Sequence, residues 1–167
     1  GLAGDDLLNG AAGADLMIGG LGNDVFKVDN IGDVVAEENN SIVGAGIDTV
    51  DSTVTFLLSN YVENLTLKGN AAINGTGNTL ANILIGNGAA NVLNGMTGAD
   101  TMTGGDGNDT YFVDNLLDKV IETSNVRTQI DTVNSTQNYT LGATLENLNL
   151  LSSVSIFGVG NHRANSI

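Results

Sequence analysis

The chain has 167 residues and a formal net charge of −14, and it contains 23 glycines and no cysteine. The charge disfavours nucleic acid and anionic membranes as partners and favours metal cations. The lack of cysteine excludes disulfides and thiolate zinc sites, and no apolar run is long enough to span a membrane. Abundant glycine with only 4% aromatic residues indicates narrow repetitive coils rather than a bulky globular core.

The first part of the chain is built from nine-residue blocks. GLAGDDLLN, GAAGADLMI and GGLGNDVFK follow one another from Gly1, each with Gly at positions 1 and 4, Asp at position 6 and an apolar residue at position 8. A degenerate fourth block, residues 28–36, keeps Asp33 and Val35 at positions 6 and 8. Because glycine permits a tight turn with φ > 0, each block predicts a turn followed by a short strand with one inward side chain.

A second run of blocks begins at Gly77. Its position-6 residues are Asn82, Asn91, Asp100, Asp109 and Asp118. Its position-8 residues are Leu84, Leu93, Met102, Tyr111 and Val120. The blocks GMTGADTMT and GGDGNDTYF, from Gly95 to Phe112, are the most regular of this run.

Wider coils follow each run, and they show that the chain is a tandem duplication. After a predicted loop at 39–46, apolar residues alternate from Val50 to Leu58 and predict a half-buried strand, and Glu63–Leu67 predicts another. The same segments recur 83 residues later. We therefore divide the chain into a first unit, 1–85 (blocks 1–36, wide coils 37–76, start of a run 77–85), and a second unit, 86–167 (blocks 86–121, wide coils 122–157, start of a run 158–167). Neither end resembles a cap, which predicts a segment of a longer array.

The blocks resemble the repeat-in-toxin (RTX, haemolysin-type) calcium-binding family, whose nonapeptide has the form G-G-x-G-x-D-x-U-x. The resemblance implies an all-β fold, a right-handed parallel β-roll or β-solenoid of calcium-binding turns with the wider coils in the same stack. It also implies several bound Ca²⁺ ions. In a two-sided roll, alternate blocks lie on the same side, so each turn pairs with the second turn after it.

The family's ligands are carbonyls and position-6 carboxylates of two paired turns. Carried over, the resemblance implies a first site from Leu2, Gly4, Asp6, Gly19, Leu21 and Asp24. It implies a second from Ala11, Gly13, Asp15, Val28, Asn30 and Asp33. It implies a third from Met96, Gly98, Asp100, Val113, Asn115 and Asp118. A poorer fourth joins Asn87, Ala89 and Asn91 to Gly104, Asp106 and Asp109. We expect the turns with Asn at position 6 to bind weakly or not at all.

The remaining acidic residues have less regular positions. We expect Asp29, Asp114, Glu37 and Glu122 to be solvated surface groups, and for Asp48 and Asp131 the choice between surface and ligand stays open. The only histidine, His162, is expected to be exposed. One histidine provides no repeated Ser-His-Asp set, no G-x-S-x-G elbow is present, and the available carboxylate pairs occupy metal positions. We therefore predict no enzyme in this segment.

Two functions follow from these patterns. The first is a structural repeat of a secreted bacterial filament, surface layer (S-layer) or adhesin that folds and assembles head to tail on extracellular Ca²⁺. The second is a C-terminal calcium-dependent secretion and folding module of a secreted enzyme or toxin, exported by type I secretion. Duplication of a whole unit favours the first. The sequence leaves a cell-surface glycan open as a further partner.

Overall fold

A computed structural model describes residues 1–37, 43–124, 126 and 128–167, so residues 39–42 of the predicted loop lie outside it. The described residues form no helix, and none of their segments is a helix that could cross a membrane. The strands are β1 Leu7–Asn9, β2 Leu16–Ile18, β3 Val25–Val28, β4 Val34–Ala36, β5 Thr49–Ser52, β6 Phe56–Leu57, β7 Asn64–Leu67, β8 Gly75–Thr76, β9 Ile83–Ile85, β10 Val92–Asn94, β11 Thr101–Thr103, β12 Thr110–Val113, β13 Lys119–Ile121, β14 Thr132–Ser135, β15 Tyr139–Thr140, β16 Asn147–Leu150 and β17 Gly158–Val159.

The strands stack as a parallel β-solenoid, which confirms the predicted fold. Odd-numbered strands β1 to β13 form one seven-stranded sheet, and even-numbered strands β6 to β16 form a six-stranded sheet. Two small sheets, β2–β4 and β15–β17, complete the two sides. Leu8 pairs with Phe26 and Met17 with Val35, so each block pairs with the second block after it, as the two-sided roll requires.

The core consists of two rows of position-8 side chains, one from each sheet, that pack against each other between the sheets. Phe26, Leu84, Leu93, Met102 and Tyr111 are completely buried, whereas their neighbours in the same strands point outward. Each of these residues lies within one of the short strands, as predicted. The wider coils add Val50, Leu65, Val133 and Leu148 to the same rows. One continuous apolar column therefore runs through both units.

The alternating stretch from Val50 to Leu58 is not one strand, and that prediction is wrong. It divides into β5 and β6 because the buried Ser52 makes a corner: its Oγ donates to the carbonyl of Val54 at 2.7 Å and accepts from the Val54 N–H at 3.2 Å. Ser135 makes the same corner with Gln137 in the second unit. Alternation continues across this corner, so periodicity alone does not reveal it.

Glycine is required where one turn lies directly against the next. Gly22 has a φ of 118°, and a Cβ there would lie 2.5 Å from the carbonyl oxygen of Gly4 in the preceding coil of the same side. Only glycine allows both the left-handed backbone and this close approach. Gly98 and Gly107, also at position 4, approach the preceding turn equally closely, so glycine at these positions allows the turns to stack.

The duplication appears as a repeated series of strands. The eight strands β1 to β8 have 3, 3, 4, 3, 4, 2, 4 and 2 residues, and β10 to β17 repeat this series of lengths. With β9 between them, the repeating unit has nine strands. Because successive strands alternate between the two sides, an odd number of strands places equivalent elements on opposite sides. Accordingly, β3 lies in the seven-stranded sheet and its equivalent β12 in the six-stranded sheet.

The two faces of β9 provide a test of this core. Leu84 is completely buried, and the adjacent Ile83 is 47% exposed. We expect Leu84→Ala to lower the free energy of unfolding by about 2–5 kcal/mol and Ile83→Ala to lower it by less than about 1 kcal/mol. Urea unfolding in saturating calcium measures both. Equal losses for the two variants would contradict the inward direction of position 8.

Candidate metal centres

A ladder of carboxylates links the stacked turns along each side. On the first side, the backbone N–H of Asp6 donates to Asp24 Oδ1 at 2.7 Å, and that of Asp24 donates to Asp48 Oδ1 at 2.8 Å. The N–H of Asp48 in turn donates to Glu63 Oε2 at 2.8 Å. On the other side the ladder runs through Asn91, Asp109, Asp131 and Glu146. The stacked turns therefore place side-chain carboxylates at the same place in successive coils.

The structure brings the first predicted ligand set together. The Gly4 N–H donates to the carbonyl of Leu21 at 2.6 Å, and the Leu21 N–H donates to the carbonyl of Leu2 at 3.3 Å. Together with the contact between Asp6 and Asp24, these bonds hold the two turns face to face. The carbonyl and carboxylate oxygens predicted for the first site thus lie on one pair of stacked turns.

The second and third sets differ, because the later aspartate of each pair closes its own turn. Asp33 Oδ2 accepts the N–H groups of Asp29 and Asn30, both at 3.1 Å, and Asp33 Oδ1 accepts the N–H of Asp15. The carbonyl of Val28 accepts the N–H of Thr53 at 2.9 Å. These oxygens already have protein partners, unlike those described below.

The third set repeats the arrangement of the second in the other unit. Asp118 Oδ2 accepts the N–H groups of Asp114 and Asn115, and Asp118 Oδ1 accepts the N–H of Asp100. The carbonyl of Val113 accepts the N–H of Thr136 at 3.0 Å. The structure thus places the third set together on paired turns, with hydrogen bonds that a cation would have to share.

In the fourth set, an amide replaces one carboxylate. Asn91 Nδ2 donates to the carbonyl of Ile73 at 2.6 Å, and Asn91 Oδ1 accepts the Asn87 N–H at 2.9 Å. Asn82 makes the same kind of bonds with the carbonyls of Val62 and Glu63. Because the amide supplies a donor of its own, these turns close without a cation. This geometry supports the expectation that the Asn turns bind weakly.

Two groups of three carboxylates were not predicted from the sequence. Ligand oxygens of Asp24, Glu37 and Asp48 lie within 4.8 Å of one another, and so do those of Asp109, Glu122 and Asp131. The expectation that Glu37 and Glu122 are solvated surface groups is therefore wrong: both are half-buried beside two buried aspartates. Asp29 and Asp114 are exposed, as expected.

A signal for these groups was present in the sequence. Asp48-Thr49-Val50 and Asp131-Thr132-Val133 follow the pattern of positions 6 to 8, but the preceding loop interrupts the nine-residue spacing. Glu37 and Glu122 occupy position 1 of the interrupted block, where the regular blocks have glycine. Treating the loop as an insertion into a block would have paired Asp48 with Asp24.

Several carboxylate oxygens in these turns are buried without a partner. Oδ2 of Asp15, Asp24 and Asp109 has no hydrogen-bond partner among the described residues, and Asp24 and Asp109 are completely buried. An unpaired buried carboxylate oxygen is costly, so it points to a partner of another kind. Oxygen-only ligands are those that Ca²⁺ prefers, and the residues present therefore fit this ion.

Burial and mutual repulsion change the acidity of these carboxyl groups. Burial raises the pKa of Asp109 to about 7; the hydrogen bond from the Asn91 N–H opposes the shift, and the charges of Asp131 and Glu122 add to it. Burial likewise raises the pKa values of Asp48, Asp100 and Asp131 to about 6. Protonation therefore relieves part of the cost of stacking these groups.

These shifts predict how the metal-free chain depends on pH. Unfolded aspartates have a pKa near 3.9, so between about pH 4 and pH 7 the folded form binds more protons, and its stability falls as the pH rises. In excess chelator, we expect the β signal in far-UV circular dichroism to increase as the pH is lowered from about 7 to about 5. Light scattering controls for aggregation near the isoelectric point. A signal that decreases over this range would contradict the prediction.

Comparison with known proteins agrees with this geometry. The model of the RTX calcium-binding nonapeptide repeat matches the chain in four copies, over residues 1–26 and 76–112. No curated protein and no solved structure shows significant similarity to the chain. The matched segments contain Asp6, Asp24, Asp100 and Asp109 of the predicted ligand sets. Residues 1–26 and 76–112 are therefore RTX calcium-binding nonapeptide repeats, and through them the chain binds several calcium ions.

Proposed function

We propose that this segment is a structural repeat of a secreted bacterial surface protein, such as a filament, surface layer or adhesin, which folds on extracellular calcium. The observation that carries the proposal is the direct stacking of two complete units. The seven-stranded sheet passes from β7 of the first unit through β9 to β11 of the second without a break. Units that join in this way build a continuous rod, because each contacts only its neighbours along one axis.

Folding of this rod depends on the calcium concentration of the extracellular space. The chain carries 19 acidic residues against five basic ones, and it buries aspartates one above another. Without a cation, their repulsion and desolvation oppose folding. Extracellular calcium modules bind at about 10⁻⁴–10⁻³ M, and the binding free energy is folding free energy where no site exists in the unfolded chain. The segment would thus stay unfolded inside the cell, pass through a type I secretion channel and fold outside.

The end coils of the segment support association with a further unit. The position-8 residues Leu93, Met102 and Tyr111 are completely buried within the stack, whereas Leu8 in the first strand is only half-buried. Leu2 is 91% exposed and Ile167 62% exposed, while Leu84 at the join between the two units is completely buried. An open solenoid end also presents unpaired N–H and C=O groups. A further unit, in the same chain or in a neighbouring one, would cover them head to tail and extend a filament.

The proposed role is structural rather than catalytic. The buried carboxylates accept backbone hydrogen bonds from the neighbouring coil, and these bonds hold the coils together. This is a structural role. His162 is exposed, as expected from the sequence. A calcium-dependent rod needs no reactive group at any of these positions.

Calcium dependence is tested by removing one buried carboxylate at a time. Asp24→Ala and Asp109→Ala should each raise the calcium concentration at the midpoint of folding, because each removes an unpartnered buried oxygen. Asp29→Ala, at an exposed position of the degenerate fourth block, is the matched control and should leave the midpoint unchanged. Circular dichroism during a calcium titration measures all three. A spectrum unaffected by chelator would overturn the proposal.

Head-to-tail association is tested at the first strand. In about millimolar calcium, the segment should sediment as concentration-dependent larger species and form filaments in electron micrographs. Leu8→Asp places a charge on the open end and should reduce association, whereas Leu7→Asp, at an outward position that is 69% exposed, should not. Monodisperse particles at high concentration with calcium present would instead favour the secretion and folding module of a larger enzyme or toxin.

A further inference from the structure

We propose that the two clusters of three carboxylates are calcium sites of a second kind, in which a glutamate side chain joins two aspartates and a tyrosine distinguishes one copy from the other. The first cluster is Asp24, Glu37 and Asp48, and the second is Asp109, Glu122 and Asp131. Neither glutamate belongs to the ligand pattern of the nonapeptide. The assignment rests on the proposed calcium-dependent folding and identifies where its strongest sites lie.

The oxygens of the first cluster converge on the face of Gly19. Asp24 Oδ2 and Glu37 Oε1 both lie where a Cβ of residue 19 would be, so only glycine leaves room for them. Asp24 is completely buried, and its Oδ2 has no hydrogen-bond partner among the described residues. A buried, unpartnered carboxylate oxygen aimed at two further carboxylates calls for a cation.

The loop before Asp48 is hydrogen-bonded to the preceding turn, and this contact places Asp48 in the cluster. The Gly22 N–H donates to the carbonyls of Gly44 and Ala45 at 2.8 and 3.3 Å, so the loop packs on the preceding turn. Asp48 follows it, is 2% exposed and accepts the N–H of Asp24 on its Oδ1. The insertion therefore restores the stacking of position 6 although the spacing is longer than in the regular blocks.

Charge distinguishes these clusters from the regular pairs of turns. A regular pair offers two carboxylates, whereas each cluster offers three, and the affinity of calcium sites depends on how many charged ligands they contain. The ion pairs given by the described residues join Lys27 and Lys68 to Asp51 and Arg163 to Glu146, and none of these three pairs includes an aspartate of the two clusters.

The two copies differ in a hydroxyl group beside the glutamate. The first unit has Phe26 where the second has Tyr111. The Tyr111 hydroxyl donates to Glu122 Oε2 at 2.8 Å and lies against Gly104 beside Asp109 Oδ2, the place that Glu37 Oε1 occupies in the first unit. An O–H donor on the glutamate competes with a cation for that oxygen. The first cluster is therefore the tighter calcium site, and the second is weakened by its tyrosine.

Tyr111 also makes the second cluster visible to spectroscopy. The chain has no tryptophan and only three tyrosines, so terbium, a luminescent substitute for calcium, should be sensitised at this cluster by Tyr111. Glu122→Gln should weaken the tyrosine-sensitised binding at least about tenfold, whereas Glu37→Gln should leave this signal unchanged. The exposed Asp114→Asn is the control in the same unit.

Exchange of the aromatic residues tests the difference between the copies. Tyr111→Phe should reduce the sensitised emission by the part that depends on Glu122 and lower the calcium midpoint of the second cluster, and Phe26→Tyr should add emission and raise the midpoint of the first. Glu37→Gln should weaken the tightest calcium-binding step in a calorimetric titration at least about tenfold. Neither aromatic exchange removes a core side chain, so these variants test the proposal even if a glutamate variant fails to fold.

The outcomes separate this assignment from the proposed function. If calcium folds the chain but both glutamate variants titrate like the wild type, the clusters are not distinct sites, while calcium-dependent folding stands. Emission that is undiminished in Tyr111→Phe would also overturn the assignment, because Tyr111 would then not be the donor to an ion at the second cluster. If terbium emission depends on Glu122 but calcium does not change the fold, the cluster assignment stands and the proposed function fails.

Discussion

Repulsion between carboxylates stacked at the same place in successive coils is the constraint on which the whole structure depends. Parallel coils lie about 4.8 Å apart, and two charges at about 5 Å repel by about 3 kcal/mol at an effective dielectric constant of 20. Backbone N–H groups of the neighbouring turn offset part of this cost along the Asp6–Asp24–Asp48 ladder. The remainder must be neutralised by protons or by cations, so the apolar column between the sheets closes only when the acidic edges are neutralised.

This constraint explains why some nine-residue turns require a bound cation and others do not. Asp33 and Asp118 have backbone donors on both oxygens, and Asn82 and Asn91 bring their own donors. Asp24 and Asp109 have donors on one oxygen and none among the described residues on the other. Among the completely buried aspartates, the unsatisfied oxygens thus belong to Asp24 and Asp109, whose turns stack on those where a loop interrupts the nine-residue spacing. Calcium there would fasten the regular blocks to the wider coils.

Much of this arrangement can be predicted from the sequence because the nine-residue period carries two independent signals. The apolar residue at position 8 predicts each short strand, and the glycines and aspartate predict each turn. Position counting fails where a loop enters a block, which is why Glu37 and Asp48 were not paired with Asp24. It fails again at Ser52, where a side-chain hydrogen bond turns the backbone through a corner and the alternation continues unchanged. Ligand carbonyls are equally hidden, since the sequence does not show that the Val28 carbonyl bonds to Thr53.

The nine-strand unit determines the symmetry of any longer array. Two strands make one coil, so one unit advances the solenoid by four and a half coils and ends half a rotation away from where it began. Successive units are then related by a two-fold screw axis, and an identical orientation returns only after two units, about 43 Å along the axis at about 4.8 Å per coil. Thr132 and Asn147 on one broad side correspond to Thr49 and Asn64 on the opposite one. The two broad sides of a rod built from such units are therefore equivalent. A surface that lies along one side contacts the same face of every second unit and the opposite face of the units between them.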